Sequence, residues 1–178
     1  LKMKEINVKG TVRTALGKKA ARDIRKANAV PCNLYGEAKN ENGAPQALSF
    51  TATNDELRNL IYSPDIYAVN LNIDGKECKA VLKEIQFHPV KDNVLHVDFY
   101  EITENKPIVM EVPIKLNGLA EGVKAGGRLA ASVRKLKVKA LYTNIPERLN
   151  IDVTHLGLGK TIKVGELSFE GLELITSK

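Results

Sequence analysis

Residues Gly10 to Gly36 read GTVRTALGKKAARDIRKANAVPCNLYG. Leu16-Gly17 is a stop, and Lys18 to Asn28 contains no Gly, no Pro and three alanines. That composition predicts a short helix. At about 100° per residue, Arg25, Lys18, Arg22, Lys26 and Lys19 share roughly 120° of arc. Ala27, Ala20, Ile24 and Ala21 take the opposite arc, and Asp23 lies between the two. One face can pack on a core while the other presents a row of cations. On either side the period changes to two. Glu5 to Lys9 alternates polar and apolar residues, and Val30 to Tyr35 resumes strand character with Pro31 near its start.

Charge is concentrated in this stretch. The first 36 residues hold nine Lys or Arg against two acids, a net of +7, whereas the whole chain is +6. Everything after Gly36 therefore sums to −1. One basic end on a nearly neutral body points to a polyanionic partner. The plainer alternative is a solvated amphipathic helix.

The 178 residues are 43% apolar and 27% charged, values of a globular chain with one large domain or two small ones. Trp is absent and aromatics make up 5%, so stacking platforms for single-stranded nucleic acid are scarce. Cys32 and Cys78 lie far apart in strand-like contexts and read as small buried hydrophobes of a reducing compartment. No apolar run reaches the length of a membrane span and the N-terminus lacks a signal-type apolar segment, so a cytoplasmic protein with no membrane partner is expected.

Further along, Gly36 to Pro45 reads as a polar loop turning at Asn42-Gly43. Leu48, Phe50 and Ala52 share a strand face. Thr53-Asn54-Asp55-Glu56 reads as a capping box opening a helix striped by Leu57, Leu60 and Ile61, with Pro64 just past its end. Tyr67, Val69, Leu71 and Ile73 alternate toward Asp74-Gly75, a two-residue hairpin turn, and the return strand runs from about Glu77 to Phe87 before Pro89. In Val94 to Tyr100, VLHVDFY, the residues Leu95, Val97 and Phe99 face a core, and His96 and Asp98 face outward together.

After residue 100 the pattern becomes all-β. Ile108 to Leu116 alternates, with Pro113 arguing for an edge strand. Gly118 to Gly127 holds four glycines and is a loop. Leu136, Val138, Ala140 and Tyr142 alternate with Lys135, Lys137 and Lys139. Such a lysine row either meets phosphates or keeps an edge strand from aggregating. Leu149-Ile151-Val153, Ile162-Val164 and Leu172-Leu174 fit further strands, and no helix is expected. The sequence thus divides into an α+β or barrel-like domain, 1–100, and an all-β domain, 101–178.

No catalytic constellation emerges. His88, His96 and Asp98 are the best metal-ligand candidates, but their spacing matches no established motif, so neither a metal nor a cofactor is expected. Gly157-Leu158-Gly159-Lys160-Thr161 resembles the end of a phosphate loop but lacks the leading glycine.

Five blocks carry a resemblance: GTVR ending at Arg13, GKKAARDIR from Gly17 to Arg25, PCNLYG from Pro31 to Gly36, QFHP from Gln86 to Pro89, and LHVDF from Leu95 to Phe99. In this order and spacing they resemble the bacterial general stress protein Ctc family, the long form of large-subunit ribosomal protein twenty-five. IPERLNIDV from Ile145 to Val153, then LGLG and IKVGEL, resemble the extra β domain of that family. The resemblance implies a six-stranded β-barrel with short helices followed by an all-β domain, without enzymatic activity. It implies a cytoplasmic ribosomal protein, monomeric off the ribosome, that binds 5S rRNA in the large subunit and can touch neighbouring ribosomal proteins through its second domain. Carried across, the contacts are Arg13, Lys18, Arg22, Arg25, Tyr35, His96 and Asp98. Physically, Arg13, Lys18, Lys19, Arg22 and Arg25 suit phosphates. Tyr35, His96 and Asp98 suit 2′-hydroxyls and base edges of a shallow minor groove. Asp23 and Glu37 depart from the pattern and would weaken local contact with RNA. Two alternatives stand beside this reading. Such a barrel also resembles the anticodon-binding part of glutaminyl-tRNA synthetase, which implies a tRNA-binding accessory protein. The other is a metal-dependent enzyme using His88, His96 and Asp98.

Overall fold

The alternation at Glu5–Lys9 continues through β1 (Lys4–Val12), which buries Val8 completely. The computed structural model describes residues 3–39 and 45–175, and the chain forms two compact units, one spanning Lys4–Thr103 and one beginning at Glu104. In the first, β1 joins β2 (Ala29–Lys39), β3 (Pro45–Thr53), β4 (Tyr67–Ile73), β5 (Lys76–Phe87) and β6 (Val94–Glu101) in a closed barrel of order β1-β3-β2-β6-β5-β4. The pairs β1–β4 and β2–β6 are parallel and the rest antiparallel. Closure leaves no free strand edge, and this is the six-stranded barrel that the resemblance implied. The expected Asn42-Gly43 turn lies outside the described residues.

Period-two alternation fills the barrel. Val30, Cys32, Phe50, Val69, Val97 and Phe99 are fully buried, and the Phe50 and Phe99 rings meet at 5.8 Å between centroids, tilted by 34°. Each such ring is worth about 2–3 kcal/mol relative to exposure. Leu48 continues the face of Phe50 but stays exposed near the start of β3. Between β4 and β5, Asp74 and Gly75 both take positive φ (48° and 85°), the conformation of a two-residue hairpin. Pro31 is tolerated because β2 pairs with β6 only from Cys32 onward.

The first helix, α1 (Lys18–Lys26), is two residues shorter than the sequence suggested. Ala27 is exposed beyond its end and Asn28 turns left-handed at φ 58°, a conformation Asn tolerates at a helix end. Asn28 is then latched to the start of α2 (Asn54–Ile61): the Asn54 amide donates to the Asn28 carbonyl at 3.1 Å, and the side-chain amides bond at 2.7 Å. The capping box of α2 is half formed. The Glu56 amide donates to the Thr53 hydroxyl at 3.3 Å, whereas the Glu56 carboxylate accepts from the Lys9 amide of β1 instead of returning to Thr53. Leu57 and Leu60 enter the barrel core with Ile61 packed against it.

The second unit holds β7 (Pro107–Asn117), β8 (Lys135–Leu141), β9 (Leu149–Asp152) and β10 (Glu173–Leu174) in the order β10-β8-β7-β9. Its core includes Ile108, Val112, Leu136, Val138, Ile145 and Leu149. Several details differ from the sequence reading. Neither β7 nor β8 is an edge strand. β7 pairs with β8 as far as Pro113 and with β9 from Ile114 on, so Pro113 sits where pairing changes sides. β8 lies between β7 and β10, and its lysines face acids: Lys137–Glu111 and Lys139–Glu173 are each 3.8 Å apart. The glycine loop contains one helical turn, α3 (Glu121–Lys124), whose Gly122 abuts the Gly157-Leu158 backbone. The phosphate-loop look-alike is therefore a packing turn, with the Gly122 amide bonded to the Leu156 carbonyl at 2.9 Å. Ile162 lies outside any strand and Val164–Glu166 is a 3-10 turn, because the Glu166 carboxylate folds back on the Lys163 amide.

Candidate nucleic-acid interface

The cationic face of α1 forms as the spacing predicted. Lys18, Lys19, Arg22 and Lys26 are exposed, and none of their side chains makes a hydrogen bond or ion pair among the described residues. Ala20, Ala21 and Ile24 are half-buried toward β2. Arg25 departs from the row. It is half-buried, and its Nε and Nη2 donate to the Leu95 carbonyl of β6 at 3.0 and 2.9 Å.

That carbonyl belongs to a bulge. Phe87 pairs with Val94 and Gln86 with His96, which leaves Leu95 as an extra residue on β6. The bulge explains a departure from the expected alternation. Val94 and Val97 are both buried although three residues apart, and Leu95 is only half-buried. Beyond it, His96 and Asp98 lie together on the outer wall as expected. The His96 Nδ1 and Asp98 Oδ1 atoms are 3.3 Å apart, and the side chains are 20% and 15% exposed. Asp98 Oδ1 is buried without a hydrogen bond.

Cross-strand register extends this surface. Asp98 lies opposite Asn33 of β2 and Glu84 of β5, and Asn33 opposite Ser49 of β3, whose hydroxyl donates to the Asn33 side-chain oxygen at 3.0 Å. The Arg13 amide donates to the Ser49 carbonyl at 3.0 Å, which moors Arg13 to the same wall. Its Nη2 reaches the Ala15 carbonyl at 3.4 Å, and its Nε is buried without a partner. The Cys32 thiol beneath is pushed up to about 12, first by burial; an Ala52 backbone contact lowers it, Asp98 raises it and Arg13 lowers it. Tyr35 stands opposite Tyr100, and Lys83 Nζ sits 4.9 Å over the Tyr35 ring. Lys83 is itself a bulge residue, the extra one between Leu82 and Glu84 on β5. With one ring face covered by a cation, Tyr35 offers its hydroxyl and the edge of its ring.

The structure thus joins Arg13, Arg25, His96 and Asp98 on one part of the barrel, with Tyr35 further along β2. Asn33, Ser49, Lys83 and Glu84 belong to the same wall and were not picked out from sequence. The alternation of Pro31-Cys32-Asn33-Leu34-Tyr35 would have turned Asn33 outward, whereas the bulge at Lys83 leaves no pattern to read. His88 stands apart from a metal role. Its Nδ1 accepts from the Val90 and Lys91 amides, each at 3.2 Å, and among the described residues no group of three His, Cys, Asp or Glu could hold a metal ion.

The closed barrel, the exposed cations of α1 and the hydrogen-bonding wall beside them make up the candidate interface of a small barrel protein. The chain belongs to the ribosomal L25p family, whose profile matches residues 8–99, and residues 107–178 match the ribosomal protein TL5, C-terminal domain. It is 67% identical to the large ribosomal subunit protein bL25 of Phocaeicola vulgatus and 62% identical to that of Bacteroides thetaiotaomicron, each comparison covering 99% of this chain and 89% of the relative. The protein of the same name from Porphyromonas gingivalis is 55% identical over the same shares.

Proposed function

We propose that this chain is a structural component of the large ribosomal subunit and that it binds 5S rRNA through the outer wall of its barrel. The names of its relatives support the first part. The observation that carries the second is the tie between α1 and β6: because Arg25 grips Leu95, the cationic helix and the His96/Asp98 pair share one surface. Arg13, Lys18, Lys19 and Arg22 meet phosphates and supply salt-dependent affinity. Asp98, with Glu84 beside it, repels phosphate. This part of the wall therefore faces hydroxyls or base amines, which a carboxylate accepts from and which an A-form minor groove displays.

The test is 5S rRNA binding by the full chain at several salt concentrations, with tRNA as competitor. Arg22→Ala should weaken binding and lower the salt slope by about 1. His96→Ala should weaken binding about tenfold with the slope unchanged. Equal affinity for tRNA would favour the accessory-protein reading, and a double Arg13→Ala/Arg22→Ala variant that bound like wild type would refute the proposal.

A further inference from the structure

Arg25 falls on the cationic arc of α1 by its spacing, but its surroundings differ from those of the other cations. It is half-buried where Lys18, Lys19, Arg22 and Lys26 are exposed, and among these five its side chain alone makes hydrogen bonds within the described residues. The edge of its guanidinium formed by Nε and Nη2 is one that forks oxyanions, and here that edge is spent on a backbone carbonyl. The carbonyl is that of the β6 bulge, next to His96.

We propose that Arg25 is a positioning residue: its guanidinium holds the β6 bulge at Leu95 and so sets where His96 stands on the barrel wall. The register supplies the reason. A bulge residue has no partner in the ladder and locally re-aims its strand. Between Val94 and Val97, both buried, Leu95 and His96 must leave the core side one after the other. Slipping the strand by one residue at this point would exchange the inward and outward sets and turn His96 toward the core. Two charge-assisted hydrogen bonds on the Leu95 carbonyl oppose that slip. They also fix α1, and with it Arg22, at a set distance from His96. The chain thereby couples its phosphate-binding helix to its base-reading strand through one side chain.

The binding arm of the test rests on the 5S rRNA reading; the spectroscopic arm does not. In the free full-length protein, NMR of the His96 ring should report a changed environment in Arg25→Ala and an unchanged one in Arg22→Ala. In RNA binding, Arg25→Ala should lose about tenfold in affinity, with a salt slope close to wild type. Its effect should not add to that of His96→Ala, because both remove the same placed imidazole. Arg25→Gln puts an amide N–H where Nε stood and removes the charge, so it should recover most of the affinity lost in Arg25→Ala. The opposite pattern overturns the proposal: an undisturbed His96 spectrum, a slope lower by about 1 in both Arg25 variants, and additivity with His96→Ala. If Arg25→Ala does not fold, Arg25→Gln decides by its slope: one close to wild type supports the proposal, and one lower by about 1 overturns it. If the wild-type chain binds no 5S rRNA, the functional reading fails, and the His96 spectrum still decides whether Arg25 holds the bulge.

Discussion

Cys32 illustrates how a residue of the barrel is set by its immediate neighbours. It has no exposure, and its thiol is raised to about 12, chiefly by burial. Cys78 is half-buried, and burial, then Glu101, raises its thiol too. A thiolate is needed for reaction with a disulfide reagent. At mildly alkaline pH the native protein should therefore label slowly at Cys78 and not at Cys32, with both reacting in urea; fast labelling of Cys32 in native buffer would contradict this packing. Gly10 makes a second test at this scale. A Cβ there would lie 2.6 Å from Phe50 Cδ2 and 3.2 Å from the Thr51 carbonyl oxygen. The Phe50 ring is fully buried and cannot swing away, so Gly10→Ala should cost about 1–3 kcal/mol in urea unfolding. The burial of Cys32 was legible from its apolar strand context, whereas Cys78, read the same way, stays half-buried. The requirement for glycine at position 10 was not legible, since it depends on a ring forty residues away.

Elements show where local rules sufficed and where they were overridden. The Asp74-Gly75 hairpin and the α2 start at Thr53 were readable because turn and cap chemistry act within four residues. Thr53→Ala should lower stability by about 1 kcal/mol, measured by the urea midpoint, through loss of the hydroxyl that accepts from Glu56. Pro113 was readable only in part. A proline does argue for a strand with one side unpaired, and β7 is unpaired on alternate sides along its length rather than at an edge throughout. The lysine row of β8 could not reveal that Glu111 and Glu173 lie opposite, because those acids come from strands far away in sequence. The bulge at Leu95 was hidden for a related reason. VLHVDFY fits a simple alternation if Leu95 is taken as inward, and only the pairing with β5 shows that Val94 holds that place. The cationic face of α1 and the outward His96/Asp98 pair were thus legible through charge and alternation, whereas Asn33, Ser49, Lys83 and Glu84 were not. Nor was the geometry of the site, because the bulge and the Arg25 bond that define it are long-range.

On the scale of the whole molecule, topology divides the chain after the barrel, and the excess charge gathers in the first third of the barrel's sequence. All six barrel strands lie between Lys4 and Glu101, and the hydrophobic cluster that fills the barrel draws only on residues from Ile6 to Phe99. The excess cations lie before Gly36, and the remaining residues sum to −1. A chain whose strands close without help from outside has no edge left to pair, and a barrel of about 100 residues is large enough to bury a core of its own. Residues 1–103 should therefore fold alone, with a single cooperative urea transition and dispersed amide resonances. If the barrel wall carries the affinity, this fragment should also bind 5S rRNA with a salt slope within about 1 of the full chain. Lys124, Arg128, Arg134 and Lys135 of the second unit are exposed and make no ion pair among the described residues, so the comparison has a clear opposite outcome. A full-chain slope steeper by several units would mean that these cations also meet phosphate, and the barrel would then be one half of a two-part grip on RNA. A fragment that failed to fold would instead show that the barrel needs the second unit, against the self-contained pairing and core found here.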